Sequence, residues 1–147
     1  MKRAAFLILV GIATTVAAIP LSAASAGEAP RVTTVTFEKH AVSANTYVGT
    51  IGGGGTIDVL VLDRRNTETA QIFSALFRVD VGDKWFATVL RGRFEFATGQ
   101  TQLRGTVSHG NWLQGAKVRE DGQLVGTEPL AFTGTLVLRP EHEAEDG

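Results

Sequence analysis

The chain has no cysteine. Thiol catalysis, thiolate metal sites, lipid attachment through a cysteine and disulfide stapling are all excluded, so the fold must be held by packing and hydrogen bonds. Histidine is scarce as well: His40, His109 and His142 lie too far apart to give a zinc-ligand spacing, and the sequence calls for no metal and no cofactor. Cations are in no excess, with 14 Lys and Arg against 15 Asp and Glu, which argues against a nucleic-acid partner. No stretch after residue 31 shows the 3.6-residue apolar period of a helix.

What is present begins with MKRAAFLILVGIATTVAAIPLSAASAG, two cations followed by an apolar run and then small residues ending at Ala26. This is the three-part pattern of a secretory signal peptide, so residues 1–26 are expected to be removed and the product to be secreted, extracellular or periplasmic, with no stable membrane association. Losing Lys2 and Arg3 and no acid moves the formal net charge from −1 to −3. Residues 141–147 hold four acids and read as a solvated acidic tail, leaving a domain over 27–140 with a charge near +1.

Within that domain, runs rich in Val, Ile, Thr and Phe alternate with Gly, Asp and Asn. They predict eight strands over 31–40, 45–51, 56–64, 70–81, 84–97, 100–109, 112–120 and 130–139. The segment Gly52 to Gly55 lacks the Gly-Lys-Ser/Thr ending of a phosphate loop and reads as a hairpin tip. Two-residue turns at Gly82-Asp83, Thr98-Gly99 and Gly110-Asn111 pair Phe77 with Thr88, Phe94 with Leu103, Leu90 with Val107 and His109 with Trp112. One face then collects Phe73, Phe77, Phe86, Leu90, Phe94, Leu103 and Val107, while the other collects Arg91, Arg93, Gln102, Arg104, Lys117 and Arg119. A sheet with one apolar face must close or be covered, and the short connections favour an all-β, eight-stranded antiparallel up-and-down barrel over a sandwich.

The run FATVLRGRFEFATGQTQLRGTVSHGNWLQGAKV and the later FTGTLVL resemble the small secreted barrels related to allene oxide cyclase and the dirigent proteins. The likeness rests on Gly105-Thr106, on Gly110 through Gly115-Ala116, and on Thr133-Gly134-Thr135. It implies a calycin-like barrel with an apolar interior, often a homotrimer, that guides cyclisation of a reactive hydrophobic compound by shape and a few polar groups.

In the predicted register His109 faces inward at the rim beside Trp112 and Thr88, where an imidazole could bind a ligand carboxylate or move a proton, or could simply cap the core. Glu120 shares the inward parity and precedes Asp121-Gly122, read as a turn; it is either a rim carboxylate in water or an acid or base. These two are the candidate catalytic residues. Small residues at Gly92, Gly105 and Ala116 fall at one interior level, which either makes room for a ligand among Phe77, Thr88, Leu90, Phe94, Trp112 and Gln114 or lets the sheet coil tightly enough to close. Asp63-Arg64-Arg65-Asn66 reads as solvated loop or as a charged lip for an anionic ligand. Two functions follow: a secreted barrel binding a hydrophobic small molecule in its lumen, with cyclase or isomerase chemistry implied by the resemblance, or a non-catalytic structural or protein-interaction barrel with a filled core.

Overall fold

A computed structural model describes residues 32–141. The expected signal peptide and nearly all of the acidic tail lie outside these residues. Eight strands follow one another in chain order: β1 (Thr33–Ala41), β2 (Thr46–Ile51), β3 (Gly55–Asn66), β4 (Ala70–Val81), β5 (Lys84–Glu95), β6 (Gln100–Gly110), β7 (Lys117–Thr127) and β8 (Leu130–Arg139). Each pairs antiparallel with its sequence neighbour, and β8 pairs back onto β1 from Leu138 opposite Thr33 to Ala131 opposite His40, closing an up-and-down barrel. Closure removes every free edge, which is how a chain without disulfides completes its backbone hydrogen bonds.

Alternation sets the interior. Phe37, Ile57, Val59, Phe77, Val79, Phe86, Leu90, Leu103, Val107, Val118, Leu136 and Leu138 are buried in one continuous core. At about 25 cal/mol per Å2 of apolar surface, each large side chain removed from water contributes roughly 1.5–3 kcal/mol. Gly92 and Gly134 also face inward. A Cβ at Gly92 would strike the Gln102 carbonyl oxygen and one at Gly134 the Asp121 carbonyl oxygen. These glycines let neighbouring strands coil close enough for eight of them to close.

The Gly82-Asp83 hairpin is present as expected, with Gly82 at φ +64° and with Val79 opposite Phe86 and Phe77 opposite Thr88. Gly53 and Gly54, both at positive φ, form the tip between β2 and β3. The next connection is longer than expected. It spans residues 96–99 instead of two, and the Gly99 amide donates to the Glu95 carbonyl at 2.8 Å. Phe94 therefore faces Thr101, and Gly92 faces Leu103. A slip of two residues keeps every side chain on its expected face, so the buried and wet faces survive while the partners change.

The β6–β7 connection is not a turn at Gly110-Asn111 but a loop over residues 111–116, so β7 starts at Lys117 instead of residue 112 and runs through Asp121-Gly122 as plain strand. Gly105 accordingly lies opposite Val118, and the small residues Gly92, Gly105 and Ala116 do not form one level. A bulge also interrupts the β5–β6 pairing: Thr88 opposes Val107, but Ala87 opposes His109. The extra residue, Ser108, reverses the alternation beyond it. His109 is thus on the exposed outer side, its Nδ1 3.0 Å from the Ser108 hydroxyl, and does not face the lumen.

The two poles of the barrel differ. One carries the β2–β3, β4–β5 and β6–β7 connections together with the start of β1 and the end of β8. Loop 111–116 folds over it, with Trp112 against Phe86 at 5.7 Å between ring centroids and Leu113 packed on the core. Asn111 fastens the loop to the neighbouring hairpin, accepting from the Trp85 amide at 2.9 Å and donating to the Asp83 carbonyl at 3.0 Å. The other pole carries the remaining four connections, including a β7–β8 turn with a cis Glu128–Pro129 bond, and it is open.

Candidate functional site

A cavity of about 160 Å3 enters the barrel from the open pole. Its walls are mostly apolar: Val59 and Val61 from β3, Phe73 and Phe77 from β4, Phe94 from β5 and Phe132 from β8. Phe94 and Phe132 meet edge to face at 5.8 Å between centroids, and Tyr47 meets Phe132 at 6.0 Å, so the aromatic wall holds itself in place.

The floor is charged. Lys39 alternates onto the inner face of β1 behind Val35 and Phe37, and its Nζ donates to Glu120 Oε1 at 2.9 Å. Glu120 is 0 % exposed and Lys39 7 %. The second carboxylate oxygen of Glu120 accepts from the Thr101 hydroxyl at 2.9 Å. Lys39 Nζ also stands over the rings of Phe77 and Phe37, at 4.6 and 4.9 Å from their centroids. An ammonium carries three donors, and among the described residues only Glu120 supplies an oxygen to this one. Its remaining donors border the cavity beside aromatic faces that stabilise the positive charge.

The mouth is polar. Between Val61 and Asp63 a bulge in β3 shifts the register, so that Arg64 comes opposite the inward-facing Phe73. Arg64 lines the cavity with Gln71 and Tyr47, and its guanidinium donates to the Ala44 carbonyl at 3.0 Å. Burial pushes the Tyr47 phenol above its ordinary range, and the nearby positive charge of Arg64 partly offsets that. The phenol is therefore a neutral donor at physiological pH.

Of the residues singled out from sequence, Phe77, Phe94 and Glu120 meet at this cavity. Glu120 is not the solvated rim residue of one of its expected readings, because the supposed turn after it is strand and its carboxylate sits inside the barrel. Thr88 and Leu90 are buried but belong to the packed core beyond the cavity, with the Thr88 hydroxyl donating to the Thr106 carbonyl at 2.9 Å. Trp112 and Gln114 lie at the plugged pole, where the Gln114 side chain donates to the Gly110 carbonyl at 2.6 Å. His109 belongs to that far pole too, so His109 and Glu120 do not form one site.

Arg64 matches the charged lip that the 63–66 run suggested. Lys39 and Tyr47 were missed. For Lys39 the signal was available, since Val35, Phe37 and Lys39 alternate in TTVTFEKHA and put a lysine on an apolar face. Among the described residues no group of three His, Asp or Glu could hold a metal ion. In comparisons with known proteins, no family model, curated protein or solved structure matches the chain.

Proposed function

We propose that the barrel binds a small hydrophobic molecule end-on through its open pole, with a neutral oxygen of that molecule accepting a hydrogen bond from Lys39. The observation that carries this reading is a fully buried ion pair forming the floor of an apolar cavity. Replacing such a pair by apolar residues is often neutral or stabilising, so stability alone gives little reason for it to be there. Glu120 already neutralises Lys39, which makes a carbonyl, ether or hydroxyl oxygen a better partner at the floor than a second carboxylate. An anionic group on the ligand fits the mouth instead, where Arg64 and Tyr47 supply donors. The cavity is close in size to the roughly 150 Å3 of an apolar cavity that takes up benzene. A ring or short chain enters, and the remainder of a larger molecule projects from the mouth. A core filled solid with side chains fits this open pole less well.

An isomerase or cyclase reading of the same site, in line with the resemblance to allene oxide cyclase and the dirigent proteins, draws on the Lys39–Glu120 pair. Held 2.9 Å apart in a water-poor lumen, the two groups can pass a proton between them and to or from a molecule seated above. The walls would hold that molecule in one conformation. The signal-peptide pattern supports a secreted setting for either activity.

Titration with the neutral fluorophore N-phenyl-1-naphthylamine tests the binding reading. Saturable one-to-one binding is expected, displaced by an apolar ketone and lost in Val59→Trp, which fills the cavity. A fluorophore that does not bind between pH 5 and 9, or binds Val59→Trp equally well, would refute it. For the isomerase reading, α-proton exchange of a lumen-bound ketone in deuterated water should be lost in Glu120→Gln while fluorophore binding persists.

A further inference from the structure

The outer wall made by β5 to β8 is charged very differently from the rest of the barrel. Its outward side chains include six cations, Arg91, Arg93, Arg104, Lys117, Arg119 and Arg139, against two carboxylates, Glu95 and Asp121. The wall made by β1 to β4 inverts the balance, with Glu38, Asp58, Asp63 and Asp80 against Arg65 and Arg78. A chain with almost no net charge has sorted its charges to opposite sides.

The cations are also aligned. Arg91 lies directly opposite Arg104, and Arg104 directly opposite Arg119, so three guanidinium groups cross three strands in one row. With strands about 4.8 Å apart the row spans roughly 10 Å. Like charges directly opposite each other in a sheet are destabilising, and an anion bound along the row would offset that cost. Arg119 is held by Asp121 at 3.0 Å and Arg93 by Glu95 at 2.6 Å. Arg91 and Arg104 have no carboxylate within ion-pair distance among the described residues, and both are exposed. These residues and Gln102 line a shallow groove of about 470 Å3.

From this row and groove we infer that the β5–β8 wall binds a linear anionic polysaccharide, with its sulfate or carboxylate groups on Arg91 and Arg104. Guanidinium forks pair bidentately with planar and tetrahedral oxyanions, and a groove crossing the strands accepts a chain rather than a flat sheet. The large exposed apolar residues lie away from the arginine row: Leu60, Leu62 and Leu76 are on β3 and β4, Phe96 and Leu130 are at the open pole, and Val125 is at the open-pole end of β7, six residues beyond Arg119. A membrane surface would therefore find no apolar side chain within the arginine row to take up into its apolar layer. Trp85, on the outer face of β5, is half-buried under the Arg78 guanidinium and six residues from Arg91, so a single-stranded nucleic acid would find no stacking platform beside the row.

The full chain should be retained on immobilised heparin at low ionic strength, with weaker retention on polygalacturonate and none on dextran. In Arg91→Ala/Arg104→Ala, affinity for heparin should fall at least tenfold, and the slope of log affinity against log salt should become shallower by about 2. Arg78→Ala, on β4 outside the arginine row and already paired with Asp80, should bind as the unmodified chain does. Thermal unfolding of the double variant, unchanged or shifted upward, separates lost contacts from lost fold. Fluorophore binding in the lumen should persist in it, so the result stands whichever way the lumen reading falls. Absence of heparin binding, equal binding by the double variant, an equal loss in Arg78→Ala, or tighter binding to phosphatidylserine vesicles or single-stranded RNA would overturn the inference.

Discussion

The two poles of this barrel are built from the same strands and put to different use. At one, loop 111–116 lays Trp112 over Phe86 and the interior is packed to the end. At the other, short connections leave Phe73, Phe94 and Phe132 lining a cavity whose floor is an ion pair. Aromatic side chains serve at both ends, so composition does not tell a seal from a binding wall. The difference lies in what sits above them: a fastened loop in one case, open solvent and an arginine in the other.

That contrast makes the poles respond differently to substitution. The largest effect is expected at the floor between them. Glu120→Leu should cost about 3–5 kcal/mol, because it strands the Lys39 charge inside the barrel, and Lys39→Met/Glu120→Leu should recover most of the loss. Urea unfolding of the two single variants and the double variant measures this, and a double variant as unstable as the singles would show that the pair is not isolated from its surroundings.

The poles themselves come next. Phe86→Ala at the sealed pole should lower stability by about 3–5 kcal/mol, as truncation of a fully buried aromatic does. Phe94→Ala at the open pole, where the ring is only half-buried, should cost about 1–2 kcal/mol but abolish fluorophore binding. Equal stability losses would mean that the two poles are packed alike.

A smaller effect concerns pH. Tyr47 at the mouth has its phenol pushed up by burial, so the folded state holds that proton more tightly than the unfolded chain does. Its contribution is complete below about pH 10, the unfolded value, and is lost as pH rises through the folded one. Tyr47→Phe should flatten that alkaline decline in stability, measured by urea unfolding between pH 8 and 11. The smallest effect belongs to His109, exposed near the sealed pole: His109→Ala should leave both stability and fluorophore binding within about 0.5 kcal/mol of the original. A pH-linked loss of binding in that variant would return the residue to the lumen.

Much of the fold was legible because period-2 alternation survives errors in pairing. Placing a two-residue turn at Thr98-Gly99 moved partners by two, which left Phe94, Leu103 and Val107 on the correct face. A one-residue bulge has no such tolerance. Ser108 carries no mark distinguishing it from an ordinary strand residue, yet it turns His109 from inside to outside. The bulge after Val61 acts in the opposite sense and brings Arg64 to the mouth. Glu120 could be seen from its parity, but not its environment. Lys39 and Glu120 are 81 positions apart, and their contact exists only because β8 closes onto β1 and sets β7 near it.

Closure through β1 and β8 has one more consequence. Thr33 and Leu138 are paired neighbours, and both strand ends issue from the sealed pole. Whatever is joined to either side of the barrel, whether a resin, a dye, a second domain or a surface, is therefore held at the end opposite the cavity. The barrel behaves as a cup mounted by its base, and an immobilised sample presents its mouth to the solution.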